Sequence, residues 1–183
     1  MNKEFLNKWL FKIALFSVIG VIFWLMTPKG GVGMYWILVA GAAGWLMWEY
    51  KKDKTLIKKA LMFGLFLMVF DWIVENIGAM LGFWISTNSL LFVAAVPIEI
   101  MLLATIGAAA WVHQFPKKLN WTYILGDALI FASFGMIGEY LLKANNQMVY
   151  TGGWTSLHAF IGYFGTWILI SLVWYKVINK QGK

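Results

Sequence analysis

At 183 residues the chain is long enough for one domain, and its 61% hydrophobic and 13% charged residues place it in the membrane class. Without cysteine it has no disulfide framework, thiolate metal site or Cys nucleophile. The net charge of +7 comes from Lys alone, set between apolar runs and not along one face, a pattern that argues for membrane topology and against nucleic acid.

A span needs roughly 20 mostly apolar residues to cross ~30 Å of hydrocarbon. Six runs fit, at about 9–26, 34–50, 58–84, 90–112, 121–142 and 154–175. The first starts as an amphipathic stretch carrying Lys8 and Lys12. Its basic start resembles a signal peptide, but Thr27-Pro28-Lys29-Gly30 stands where a small-residue cleavage site belongs, so the run reads as a retained anchor. The second is short. The third carries Asp71, Glu75, Asn76, Gly78 and Gly82; the fourth carries Pro97 and Glu99; the fifth carries Asp127 and Glu139; the sixth carries His158.

All but two of the 15 Lys fall in the N-terminal segment, the second and fourth loops and the tail, leaving only Lys29 and Lys143 for the other side. The positive-inside rule then puts both termini in the cytoplasm, consistent with an even number of spans. The expectation is an all-α, integral membrane bundle of six transmembrane helices, N-in/C-in. It forms a single transmembrane domain over residues 1–183 and resides in the plasma membrane as a multi-pass protein.

Five of the eight acidic residues fall inside the third, fourth and fifth runs: Asp71, Glu75, Glu99, Asp127 and Glu139. Each costs a few kcal/mol at the bilayer centre on insertion scales, so by default such groups face the bundle interior and mark function. Lys143 and His158 are the only counter-charges expected at comparable depth. Asp71, Glu75, Gly78 and Gly82 follow i, i+4, i+7, i+11 spacing and share one helix face, with Asn76 beside it. The Gly78-xxx-Gly82 pair would let a second backbone approach closely. Pro97 is expected to free a carbonyl and kink the fourth helix near Glu99. A 1.5 Å rise puts Asp71 near the midplane, Glu75 and Glu99 within about 10 Å of it outward, and Glu139 and His158 roughly 10–15 Å outward. The four outward groups, Glu75, Glu99, Glu139 and His158, are expected to line one outer-leaflet cavity, with Asp127 on the cytoplasmic half. His158 also suits a packing or interfacial role. Two His residues with neither an HxxxH nor a Glu-x-x-His pair give no metal site, and no dinucleotide, P-loop or nucleophile-elbow motif occurs.

The segment Phe70-Asp71-Trp72-Ile73-Val74-Glu75-Asn76-Ile77-Gly78, continuing to Gly82-Phe83-Trp84 and Val96-Pro97-Ile98-Glu99, resembles the membrane-embedded lycopene cyclase family of archaea, actinobacteria and fungi and the related carotenoid hydratases. Those families carry an acid, a Gly-x-x-x-Gly-x-Trp run and a Pro-x-Glu-Glu motif on the next helix. The likeness covers roughly 30 residues, and Ile100 stands at the second Glu of that motif, which points away from lycopene itself as substrate. The resemblance implies an isomerase of carotenoid-type biosynthesis: a proton-initiated cyclase or hydratase of a prenyl lipid, working by acid–base catalysis without a cofactor. It would make Glu99 the proton donor, with Asp71 and Glu75 orienting it or taking the later proton. Asn76, Trp84, Glu139 and His158 would contact substrate. The partners expected are the prenyl lipid and membrane lipids, and a homo-oligomer is an open possibility.

The main alternative is the substrate-binding membrane subunit of a small-molecule, vitamin-type transporter. Such subunits are also short, six-spanning and basic, but commonly carry Ala-x-x-x-Ala spacing in an early helix. Ala40-x-x-Ala43 and Gly41-x-x-Gly44 do not match that spacing. A structural or assembly protein is the third reading.

Overall fold

The computed structural model describes residues 2–26 and 35–179. The Thr27-Pro28-Lys29-Gly30 segment, Lys180 and Lys183 lie outside the described residues. Among the described residues six α-helices form, as the apolar runs require: α1 (Lys3–Met26), α2 (Tyr35–Lys52), α3 (Ile57–Met80), α4 (Ile98–Val112), α5 (Trp121–Ala144) and α6 (Ser156–Val173), the last continuing into one π-helical turn, Trp174–Ile178. Four of them, α1, α3, α5 and α6 with its π turn, are long and apolar enough to cross a membrane, so the chain is a multi-pass membrane protein. Their outward residues fit lipid contact: Val21 and Leu25 on α1, Val69 and Ile77 on α3, and Leu129 on α5 are all exposed. The 18 residues of α2 end in Glu49, Lys51 and Lys52.

Two of the expected spans are shorter than the apolar runs that suggested them. The third ends at Met80 rather than at 84, because Gly82 takes a left-handed φ of +70° and closes the helix. The Phe83 amide donates to the Gly78 carbonyl (2.9 Å) and the Gly82 amide to Ala79 (3.0 Å), the paired bonds of a Schellman cap. Gly82 therefore serves as a terminator, and the expected Gly78-xxx-Gly82 helix contact does not form. The fourth run begins as a hairpin, Phe92–Val93 (β2) pairing antiparallel with Val96–Pro97 (β3), and turns helical only at Ile98. Pro97 is the N-cap residue of α4 (φ −57°, ψ 134°), so the expected kink is absent: the ring sits where no helical amide is needed. The 15 residues of α4 reach about 22 Å, short of ~30 Å of hydrocarbon. A second ribbon pairs Trp84–Ser86 (β1) antiparallel with Met148–Tyr150 (β4).

The chain divides into two compact units. The first contains α1, α5 as far as Leu141, and α6 with its π turn. Its interior is aromatic: Phe131 stacks on Trp167 with centroids 4.2 Å apart, and Trp9 stacks on Tyr123 at 5.9 Å. Small residues make room for these rings, since a Cβ at Gly126 would overlap Trp9 and one at Gly135 would overlap Tyr163.

The second unit contains α2, α3, α4, both ribbons and the end of α5. Helices α3 and α4 meet backbone to backbone where Gly64 faces Thr105; a Cβ there would collide with the Thr105 carbonyl, which has no flexible end to give way. At the other end of α4 the buried Glu49 carboxylate accepts from Trp45 Nε1 (3.2 Å), Lys52 Nζ (3.2 Å) and Gln114 Nε2 (2.9 Å), a donor set suited to holding a charge out of water. Beyond α2, Asp53 closes a turn by accepting from the Thr55 hydroxyl (2.6 Å) and amide (2.9 Å), which hold its exposed carboxyl below the usual range.

Candidate functional site

Five of the seven residues singled out in the sequence lie in the second unit: Asp71, Glu75, Asn76, Trp84 and Glu99. Helix α3 supplies the first three on neighbouring turns, all half-buried. Glu75 is engaged by Trp84, whose Nε1 donates to Glu75 Oε2 at 2.7 Å. The Schellman turn at Gly82 makes this contact possible by folding the chain back, so that β1 delivers the indole onto α3. Gly78 is small because the ring lies on it, and a Cβ there would overlap the indole. Trp84 also packs against Trp154, with centroids 4.7 Å apart, and Trp154 stacks on Phe83 at 5.2 Å. Gly78→Ala is expected to expel the indole, break the Trp84–Glu75 bond and lower stability by about 1–3 kcal/mol, the usual range for overpacking. Denaturant unfolding of the detergent-solubilised protein checks the value, with Gly44→Ala as a control where a Cβ meets nothing.

Asn76 has a local structural role. Its Nδ2 donates to the Trp72 carbonyl (2.7 Å) and its Oδ1 accepts from the Ala95 amide (3.1 Å), while Trp72 Nε1 donates to the Val93 carbonyl (3.2 Å). Together they hold the β2–β3 turn on α3. That turn forces Ala94 to a φ of +57°, a conformation costing an L-residue about 1–2 kcal/mol and needing such support.

Glu99 stands in the first turn of α4 and is fully buried, with 0% exposure. One carboxylate oxygen accepts a short hydrogen bond from the Ser89 hydroxyl and the other a bond from the Leu90 amide at 3.3 Å. Both donors are neutral. Tyr35, the first residue of α2, has a buried hydroxyl that interacts electrostatically with both Glu75 and Glu99. That hydroxyl donates to the Gln147 carbonyl at 2.6 Å. The side chains assembled here are thus two carboxylates, a phenol, a serine hydroxyl and an indole cluster.

Glu139 and His158 belong to the first unit. Glu139 is buried and accepts from the Tyr163 hydroxyl at 2.7 Å. His158 is exposed and completes a capping box at the start of α6: its Nδ1 accepts from the Thr155 amide (3.1 Å), and Thr155 Oγ1 accepts from the His158 amide (3.4 Å).

Asp127 has a partner that the sequence reading overlooked. Lys12 of α1, expected in a cytoplasmic amphipathic stretch, is fully buried and forms an ion pair with the equally buried Asp127 of α5. Lys12 Nζ also donates to the Tyr123 hydroxyl (2.9 Å), and Trp167 Nε1 of α6 donates to Asp127 Oδ2 (3.2 Å). Lys143, taken as a counter-charge, lies over the Tyr150 ring, 3.7 Å from its centroid. Tyr35 and Ser89 were missed as well; neither carries a formal charge, and both join the site through chain reversals that periodicity does not report. Among the described residues no group of three or more His, Asp or Glu side chains could hold a metal ion. Comparison with protein-family models, curated proteins and solved structures finds no significant match for the chain.

Proposed function

We propose that the chain is a proton-initiated cyclase or hydratase acting on an isoprenoid lipid, related to the membrane-embedded lycopene cyclases, with Glu99 as the acid and Glu75 as the proton acceptor. The single observation that carries this reading is the setting of Glu99: a carboxyl without solvent exposure, held only by neutral donors. A buried acid paired with a cation has its charge spent, whereas one held by a hydroxyl and an amide can exchange a proton.

In this reaction the Glu99 O–H proton passes to the less substituted carbon of the terminal isoprenoid double bond, whose π electrons form the new C–H bond and leave a tertiary cation on the other carbon. A neighbouring alkene attacks the cation and closes a ring, or water captures it. The proton then lost goes to Glu75, so cyclisation is a net isomerisation and hydration adds one water. The Trp84, Trp154 and Phe83 faces offer electron density to the cation, and the Glu75–Trp84 bond fixes that cluster. Asp71, one turn earlier on α3, orients the substrate end or assists the acceptor. The test is product formation from prenyl lipids in proteoliposomes, followed by mass spectrometry. Tight binding of a water-soluble vitamin with no prenyl product would replace this reading with the transporter subunit.

The proposed topology is N-in/C-in with six crossings, the short α4 completing its passage through the hairpin at its N-terminal end. Reporter fusions at Lys54 and Lys118 are expected to read cytoplasmic, and fusions at Asn88 and Asn146 external. An external reading at Lys118 would remove the α3–α4 pair as two crossings.

A further inference from the structure

A carboxyl that gives up a proton in every turnover must regain one, and Glu99 has no water contact of its own because its exposure is 0%. Its hydrogen-bond partners are the Leu90 amide, which cannot pass a proton on, and the Ser89 hydroxyl, which can. Ser89 is half-buried, so its oxygen stands between the sequestered acid and the surface. The loop that carries it is fixed. Thr87 Oγ1 and Asn88 Nδ2 both donate to the Asn146 carbonyl (2.7 and 2.6 Å), and Asn88 adopts a φ of +57° to turn the chain into position.

Ser89 also has more hydrogen-bond options than one proton can fill. Its hydroxyl lies within bonding distance of both Glu99 and the Leu91 carbonyl (3.0 Å), and its oxygen faces the Leu91 amide (3.3 Å). When Glu99 is ionised, the hydroxyl donates to it. When Glu99 is protonated, the Glu99 O–H donates to Ser89 Oγ, and the serine proton turns to the Leu91 carbonyl. Both protonation states of the acid are therefore fully bonded without movement of a heavy atom. A carboxylate with a purely structural role needs only one such arrangement.

We propose that Ser89 is the proton relay of Glu99, carrying protons between bulk water and the buried carboxyl. This rests on the acid role assigned to Glu99 above. In the reloading step a hydronium ion protonates Ser89 Oγ while the original serine proton passes to the Glu99 carboxylate, so the hydroxyl is regenerated and water is released. Tyr35 of α2 is a titratable group that interacts electrostatically with Glu99, and its hydroxyl also interacts with Glu75 of α3. The Tyr35 hydroxyl is directed at backbone carbonyls, Gln147 (2.6 Å) and Thr87 (3.4 Å), whereas the Ser89 hydroxyl bonds Glu99 itself.

The experiment is a pH-jump infrared measurement on the full chain in vesicles of phosphatidylcholine, with the Glu99 carboxyl band identified by its loss in Glu99→Gln. Ser89→Ala is expected to slow reprotonation by roughly 10–100-fold, the scale of a lost positioned proton donor. Ser89→Thr, which keeps the hydroxyl, is expected to stay near the wild-type rate. In the wild-type protein the rate should also fall in D2O, a readout that needs no variant to fold. An unchanged rate in Ser89→Ala, or a Glu99 band that ignores the jump in wild-type protein, would overturn the relay. Prenyl-lipid conversion is assayed in the same vesicles. A working relay with no product removes the enzymatic reading alone, and product formation with an unchanged Ser89→Ala rate removes the relay alone.

Discussion

Removing either half of the Lys12–Asp127 pair is expected to do more damage to folding than any other single change in the first unit. Both side chains are fully buried, and their partners come from three helices, α1, α5 and α6. Lys12→Met leaves the buried Asp127 charge without its cation, among neutral groups such as the Trp167 indole N–H, and Asp127→Leu leaves the buried Lys12 ammonium without its carboxylate. Breaking a buried pair in this way costs about 3–5 kcal/mol, because the surviving charge has lost its compensation and stays out of water. The double variant Lys12→Met with Asp127→Leu removes both charges together. It is expected to recover most of that loss, short of the roughly 1 kcal/mol for each hydrogen bond that Tyr123 and Trp167 no longer make. Unfolding of the solubilised protein, with membrane yield alongside, gives the comparison. Single variants within about 1 kcal/mol of wild type, against the 3–5 kcal/mol expected of a broken buried pair, would show that the two groups reach water or other partners.

The same pair shows what the sequence makes legible. The six helices follow from apolar run length, which survives any detail of packing. Lys12, however, was assigned by charge sign to a surface stretch, although it lies inside the first apolar run. Depth would have paired it. Counted from the first residues of α1 and α5, Lys12 and Asp127 both lie about 9–14 Å along their helices at 1.5 Å per residue. The Gly78 and Gly82 pattern was misread for another reason. Identical spacing serves a helix contact or a helix terminator, and only φ separates the two; here Gly82 is left-handed and Gly78 makes room for an indole. Pro97 is similar, since its effect depends on which side of the first helical turn it occupies. Along α3 the i, i+4 spacing of Asp71 and Glu75 did place them on neighbouring turns, because helical periodicity fixes that relation locally. Ser89 was beyond reach, because its approach to Glu99 depends on two chain reversals and carries no charge or period of its own.

Glu99→Gln is expected to abolish most turnover while leaving the fold in place. Gln has the same length and shape, its carbonyl oxygen can accept from the Leu90 amide, and its amide group can meet Ser89 Oγ as a donor, so both bonds of the wild-type side chain have substitutes. What the variant lacks is an acidic proton. Loss of a positioned general acid costs at least ~100-fold in rate, whereas prenyl-lipid binding, which depends on apolar contact, should persist. Glu75→Gln and Asp71→Asn are expected to be milder, since an acceptor can be replaced in part by water and an orienting group by a neighbour. Glu99→Asp separates chemistry from geometry: it keeps the proton but withdraws it by one methylene, so its activity should fall between wild type and Glu99→Gln. Product formation in proteoliposomes, with bound lipid measured in the same samples, reads all four variants. Full activity in Glu99→Gln would refute the acid role outright. Equal losses of binding and turnover would instead make Glu99 a residue of the binding surface, because a group that acts only in the transition state leaves substrate affinity unchanged.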